Sequence, residues 1–238
     1  MKKMVKIPSI PLITGDVPFE YAEAYKALRT NFNFSAVDGG NRKVLITSAI
    51  PDEGKSSVAI NFAISLTQVG KRVLLIDADL RKPSAHLYLN IKRNPECNVA
   101  TVLAGSATLE ESIIETIHGF DVLIGGVTPP NPAELISSHT MAALLDQALE
   151  SYDYVICDAP PVGLVTDAAA LSNLCDGVLF VVRQGFAKKN MVQGAIHKLQ
   201  TVNAKILGIV MNQYDLSDAS NKDYSYYGHY GKYGKYGK

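Results

Sequence analysis

The sequence predicts an α/β fold, a mostly parallel sheet flanked by helices on both faces. Short Val/Ile/Leu-rich runs recur between residues 43 and 212, and helix-forming stretches separate most of them. Strands buried on both faces read as continuous apolar runs, and parallel pairing needs a crossover connection, usually a helix. The chain has 238 residues, 47% of them apolar, which suits one sizeable domain.

The elements follow in order. Residues 1–17 read as an irregular leader, with two prolines in "MKKMVKIPSIPLI". "FEYAEAYKALRTNFNFSA" predicts a helix with Phe19, Ala22 and Leu28 among its buried positions. "KVLITS" (43–48) predicts a buried strand, and "SSVAINFAISLTQVG" a helix closed by Gly70. Further strands are expected at "RVLLID" (72–77), "DVLIGG" (121–126), "YDYVICD" (152–158), "GVLFVV" (177–182) and "KILGIVMN" (205–212). Helical patterns at about 139–150, 166–175 and 188–202 lie among them. The folded unit therefore spans 18–214. Residues 215–238 have little to bury and are expected to be disordered. Glycines there space six tyrosines: Tyr224, Tyr226, Tyr227, Tyr230, Tyr233 and Tyr236.

Composition excludes several classes. Lys+Arg and Asp+Glu both number 23, so a globally basic nucleic-acid binder is disfavoured. Three widely spaced cysteines make no disulfide framework, and five scattered histidines show no metal-ligand spacing. No apolar run approaches the ~20 residues that span a bilayer, and no secretory leader is legible. The expectation is a cytoplasmic protein.

The stretch "VLITSAIPDEGKSS" runs from a strand through a loop into a helix. Its segment 49–56 matches the P-loop pattern, with Ala49 in place of the first glycine. Gly54 lets the backbone approach a phosphate. The N–H groups of Pro51–Asp52–Glu53–Gly54 (proline excepted) and of the helix start supply positive potential. Lys55 is placed to reach the β- and γ-phosphates and Ser56 to ligate Mg²⁺, with Ser57 a weaker candidate. Two strands end in carboxylates: Asp77, with Asp79 two residues on, and Asp158. Parallel strands put these ends on the edge that carries the P-loop. Asp158 then holds Mg²⁺ directly or through water, and one of Asp77 and Asp79 serves the metal while the other accepts a proton.

With "LLIDADLRKP" the chain resembles the bacterial tyrosine kinases of the capsule and exopolysaccharide type. These have a P-loop NTPase fold, Rossmann-like and three-layered, related to cell-division-site and partition ATPases. The Ala-started P-loop, the D-x-D-x-R segment at Asp77, Asp79 and Arg81, Asp158, "TPPNPAELISS" (128–138) and the terminal tyrosines all match in order. The resemblance implies an ATP- and Mg²⁺-dependent protein-tyrosine kinase, with Asp77 and Asp158 organising the metal and Asp79 accepting the tyrosine proton. Arg81 orients its segment or contacts phosphate, and Asn212 lies where related proteins read adenine.

The resemblance also implies that the six tail tyrosines are phosphorylated between subunits, and that the protein regulates polysaccharide synthesis and export. "EAYKALR" resembles an E-x-x-R-x-x-R segment for ring-like self-association, with Glu23 and Arg29 matching and Lys26 in the middle position. Implied partners are a membrane-anchored chain-length regulator that recruits the kinase to the inner face of the membrane, a phosphotyrosine phosphatase and protein substrates. The competing reading is a partition-type ATPase acting as a nucleotide-dependent binding switch. Those proteins carry a second lysine where this chain has Ile50.

Overall fold

The computed structural model describes residues 10–35 and 40–215. Residues 1–9 of the expected leader and the tail from residue 216, with all six tyrosines, lie outside the described residues.

The expected strands, joined by one further two-residue strand β3 (Ile114–Glu115) beside β4 (Asp121–Leu123), form one sheet in the order β3-β4-β2-β5-β1-β6-β7. Its central members are β2 (Val73–Asp77), β5 (Tyr154–Asp158), β1 (Lys43–Ser48) and β6 (Gly177–Arg183), with β7 (Ile206–Asn212) at one edge. All their pairings are parallel, and Asp77 and Asp158 are direct Cα partners at the ends of β2 and β5. One face carries α1 (Phe19–Ser35) and α2 (Lys55–Thr67). The other carries α7 (His139–Ser151), α8 (Asp167–Ser172) and α9 (Lys189–Thr201). Helix α2 buries nearly its whole surface between the sheet and α1, so its apolar residues form no single stripe. Gly70, at φ 78°, ends that turn as expected.

Three local expectations change. Phe19 is exposed; α1 instead buries Tyr25 and Phe32. Phe32 packs edge-on against Phe62 and Tyr154, while Phe19 stands in the first turn, off the Tyr21–Tyr25–Leu28–Phe32 stripe. The strand expected over 121–126 stops early, as β4 (Asp121–Leu123). At Gly125 a Cβ would meet Pro83 at 2.5 Å, and at Gly126 Asn98 at 2.1 Å, so the chain leaves the ladder to admit these neighbours. A two-residue strand β3 (Ile114–Glu115) pairs antiparallel with β4. Short helices α3 (Ala85–Tyr88), α4 (Val99–Leu103), α5 (Leu109–Ser112) and α6 (Pro132–Ile136) appear where no helical period was legible. Among the described residues, no helix is long and apolar enough to cross a membrane.

In urea unfolding, Phe32→Ala should cost about 3–5 kcal/mol, because a buried ring leaves a cavity between α1, α2 and the sheet. Phe19→Ala should stay within about 0.5 kcal/mol, as for an ordinary surface change. Equal losses would contradict this placement of α1.

Candidate active site

The loop between β1 and α2 is fixed from behind. Glu53 is fully buried, and its carboxylate accepts hydrogen bonds from Ile50 N (2.9 Å) and Arg183 N (3.4 Å). Its side chain therefore braces the loop, leaving only its main chain to meet a phosphate. The Ser48 hydroxyl donates to Ile50 O at 2.8 Å, and the Ile50 side chain packs against the core. Asp52 and Gly54 both have positive φ, 64° and 85°. A Cβ on Gly54 would lie 2.0 Å from Asn212 Nδ2, so only glycine fits there. Helix α2 starts at this glycine with no side-chain cap, leaving its first N–H groups for an anion.

Beyond the loop opens a cleft of about 1080 Å³, lined on its polar side by Pro51, Asp52, Gly54, Lys55, Ser56 and Ser57. Asp79 lines the cleft with the loop, whereas Asp77 and Asp158 are buried at their strand ends and are not among its lining residues. Asp77 is fully buried; its Oδ2 accepts from Ser84 N (2.9 Å) and Ala85 N (3.0 Å), while its Oδ1 accepts nothing. Asp158 is 1% exposed, and neither of its oxygens has a hydrogen-bond partner. Burial pushes the Asp77 carboxyl up to about 8, with the Asp158 charge adding to it. Burial also raises Asp158, to about 6, against the opposing pull of Lys55 and of the Ser56 hydroxyl, which lies near it without completing a hydrogen bond. Burial alone would lower Lys55, but Asp158, Asp79 and Asp77 together raise it, so it is a firm cation. Lys55 Nζ lies 3.6 Å from Asp79 Oδ2, and Asp79 Oδ1 accepts from Lys82 N at 3.0 Å.

The other expected residues are placed as follows. Arg81 lines the cleft but is held sideways, Nε and Nη2 donating to the Asp167 carboxylate at 2.7 and 3.0 Å. Asn212 also lines the cleft; its amide donates to Glu53 O at 2.9 Å, so it supports the P-loop from β7. Ser57 lines the cleft and gives its carbonyl to Asn61. In α1, Lys26 pairs with Glu23 within the helix at 2.6 Å, both half-exposed, whereas Arg29 hydrogen-bonds Ser65 O on α2 and so turns away from any shared outer face. Sequence reasoning missed Ser84, whose hydroxyl lies 3.0 Å from that of Ser56 and whose N–H holds Asp77. A serine after proline at a helix start was the available signal. It also missed Asp167.

The donor set fits a hydrated Mg²⁺: one hydroxyl and carboxylates with unengaged oxygens, all hard ligands. Among the described residues no group of three or more His, Cys, Asp and Glu forms a ready metal cage. That is ordinary for Mg²⁺, which keeps waters and shares phosphate oxygens.

A braced glycine loop at a helix start, a charged lysine and uncompensated carboxylates at neighbouring strand ends define a P-loop protein built to hold a nucleotide's phosphates. A family model described as an AAA domain matches residues 52–213. The chain is 42% identical over 204 residues to the tyrosine-protein kinase YwqD of Bacillus subtilis (strain 168), covering 85% of each. It superposes on the kinase domain of the Escherichia coli tyrosine kinase ETK with a TM-score of 0.81 at 33% identity, covering 91% of this chain and 86% of that one. The chain belongs to the bacterial tyrosine-protein kinases, within the AAA-domain family. The septum site-determining protein MinD of Pyrococcus horikoshii OT3, complexed with Mg-ADP, shares the fold at 24% identity and a TM-score of 0.63, covering 74% of this chain and 72% of that one.

The carboxylate shifts fix a sign. Asp77 and Asp158 titrate higher folded than unfolded, so the folded state binds more protons between the ordinary value of 3.8 and about 8. Stability of the nucleotide-free chain should therefore fall as pH rises through that window. A thermal melt series from pH 6 to 9 should show Tm declining in wild type, with less decline in Asp77→Asn. An equal slope in both would contradict the burial of an uncompensated Asp77.

Proposed function

We propose that this chain transfers the γ-phosphoryl group of Mg²⁺–ATP to tyrosine, including the tyrosines of its own C-terminal tail. The observation that carries the reading is the set of buried, unengaged Asp77 and Asp158 oxygens beside Lys55. Two like charges in a dry site call for a cation. Bound Mg²⁺ would neutralise phosphate charge between the nucleotide and these carboxylates. Ser56 and Asp158 would hold it, with Asp77 orienting the site through Ser84, which touches Ser56. Lys55 meets the phosphates. As it turns to them it leaves Asp79, whose Oδ2 is then free to take the phenol proton. The phenol oxygen bonds to the γ-phosphorus as the bond to the β,γ-bridging oxygen breaks. A phenol of pKa ~10 is mostly protonated at neutral pH, so this base matters.

The tail is within reach. Asn212, Gln213 and Tyr214 line the cleft, so the chain leaves the fold at its rim. A chain of 23 residues, the length from 216 to 238, reaches at most about 80 Å. That reaches a neighbouring subunit, and we place the main transfer between subunits. Each phosphate adds about −1.5 to −2 charge, so a fully modified tail repels its neighbours and favours dissociation until a phosphatase acts. Ring-like association through the Glu23–Lys26 side of α1, recruitment by a membrane-anchored regulator and control of polysaccharide export follow from the resemblance to the capsule-type kinases.

Lys55→Met should abolish tyrosine phosphorylation, read by mass spectrometry of the C-terminal peptide after incubation with ATP and Mg²⁺. Asp79→Asn should slow transfer by ~10²–10⁴ while nucleotide affinity stays near wild type, whereas Asp158→Asn should weaken Mg²⁺-dependent binding itself. Equal affinity losses would defeat that division. For transfer between chains, a tail-truncated active chain is mixed with full-length Lys55→Met. The inactive partner's tail should acquire phosphate; an unmodified tail beside modified wild-type tails means transfer within one chain.

A further inference from the structure

We propose that Asp167 is a positioning residue: through Arg81 it ties together the two loops that leave the active-site carboxylates. Asp77 and Asp158 end adjacent strands as direct partners, and their loops then diverge. The loops meet again where Arg81 grips Asp167 with two parallel hydrogen bonds, 2.7 and 3.0 Å. This fork geometry fixes direction as well as distance, which a lysine cannot copy. Asp167 is 1% exposed while the Arg81 side chain is 41% exposed, so the buried partner is the anchor and the arginine is what it holds.

The anchor is itself immobilised. Between Asp158 and Asp167, Pro160 O accepts from the Thr47 hydroxyl at 2.7 Å and Val162 N donates to Ser48 O at 3.0 Å. Lys198 of α9 donates to Gly163 O at 2.7 Å, and a Cβ on Gly163 would lie 2.0 Å from Ala49 O. The 159–167 segment is thus strapped to β1 and α9, with no slack to follow a moving arginine. Between Asp79 and Lys82 the other loop has fewer such ties, although Ser84 and Ala85 beyond it are held by Asp77. Arg81 stands two residues beyond Asp79, and the next N–H, that of Lys82, holds Asp79 Oδ1. Thr128, at the start of the "TPPNPAELISS" segment, donates to Arg81 O at 3.2 Å. Holding the Arg81 side chain therefore sets the turn that aims Asp79 at Lys55. The P-loop does not depend on this tie, so losing it should disturb transfer and spare nucleotide binding.

The activity arm of the test rests on the kinase reading; the exchange arm does not. The full chain is compared with Asp167→Asn, Asp167→Glu, Arg81→Lys and the Asp167→Asn/Arg81→Lys double variant. Asparagine leaves no buried unpaired charge, and a melt checks each variant's fold. Amide hydrogen exchange over residues 79–85 should quicken about tenfold or more in Asp167→Asn, with α2 unchanged. The kcat for tyrosine phosphorylation should fall about 10- to 100-fold with the KM for Mg²⁺–ATP within about twofold, Asp167→Glu should recover part of the loss, and the double variant should be little worse than either single one. Unchanged exchange, a parallel rise in KM or fully additive losses would overturn the proposal. If wild type hydrolyses ATP without labelling tyrosine, the kinase reading fails, and the exchange result alone decides the role of Asp167.

Discussion

Two carboxylates buried side by side without enough hydrogen bonds are the constraint on which the rest of this structure depends. Asp77 and Asp158 sit at one register on neighbouring strands, inside a fully buried sheet edge. Left alone they repel, and each resists ionisation; beside Lys55 and a divalent cation they become a strong electrostatic site. Under the proposed function, the fold gives up some stability at this edge so that a nucleotide and its cation would find preorganised charge.

The topology makes that possible. Strand order places β2, β5 and β1 together, so the ends carrying Asp77, Asp158 and the P-loop adjoin. Elsewhere the edge is braced by groups that do no chemistry of their own: Glu53 under the loop, Asn212 against Gly54, Ser84 between Ser56 and Asp77. Such supporting contacts hold the reactive groups within the narrow tolerance that phosphoryl transfer needs.

Much of this was legible in the sequence. Long apolar runs announced the strands, and "IPDEGKSS" followed by strand-end aspartates announced the phosphate site, because both depend on local pattern. What was not legible depends on distant partners. Phe19 has the right character for burial, but the neighbouring helix meets Tyr25 and Phe32 instead. Glu53 enters the sequence reading only through its loop N–H, yet its carboxylate is claimed by the distant backbone of Arg183. Arg81 and Asp167 lie 86 residues apart, and no local period links them. The four short helices between residues 85 and 136 fall below the length at which a helical repeat can show.

The most direct test of the buried-pair account is proton release on binding. Titration calorimetry of preformed Mg²⁺–ADP into the nucleotide-free chain at pH 7, in buffers of different ionisation enthalpy, counts protons exchanged per site. A carboxyl held up at about 8 is mostly protonated at that pH, and a divalent cation placed beside it favours its charged form. The account predicts release of about one proton in wild type and clearly less in Asp77→Asn. Binding heats independent of the buffer in wild type would contradict it.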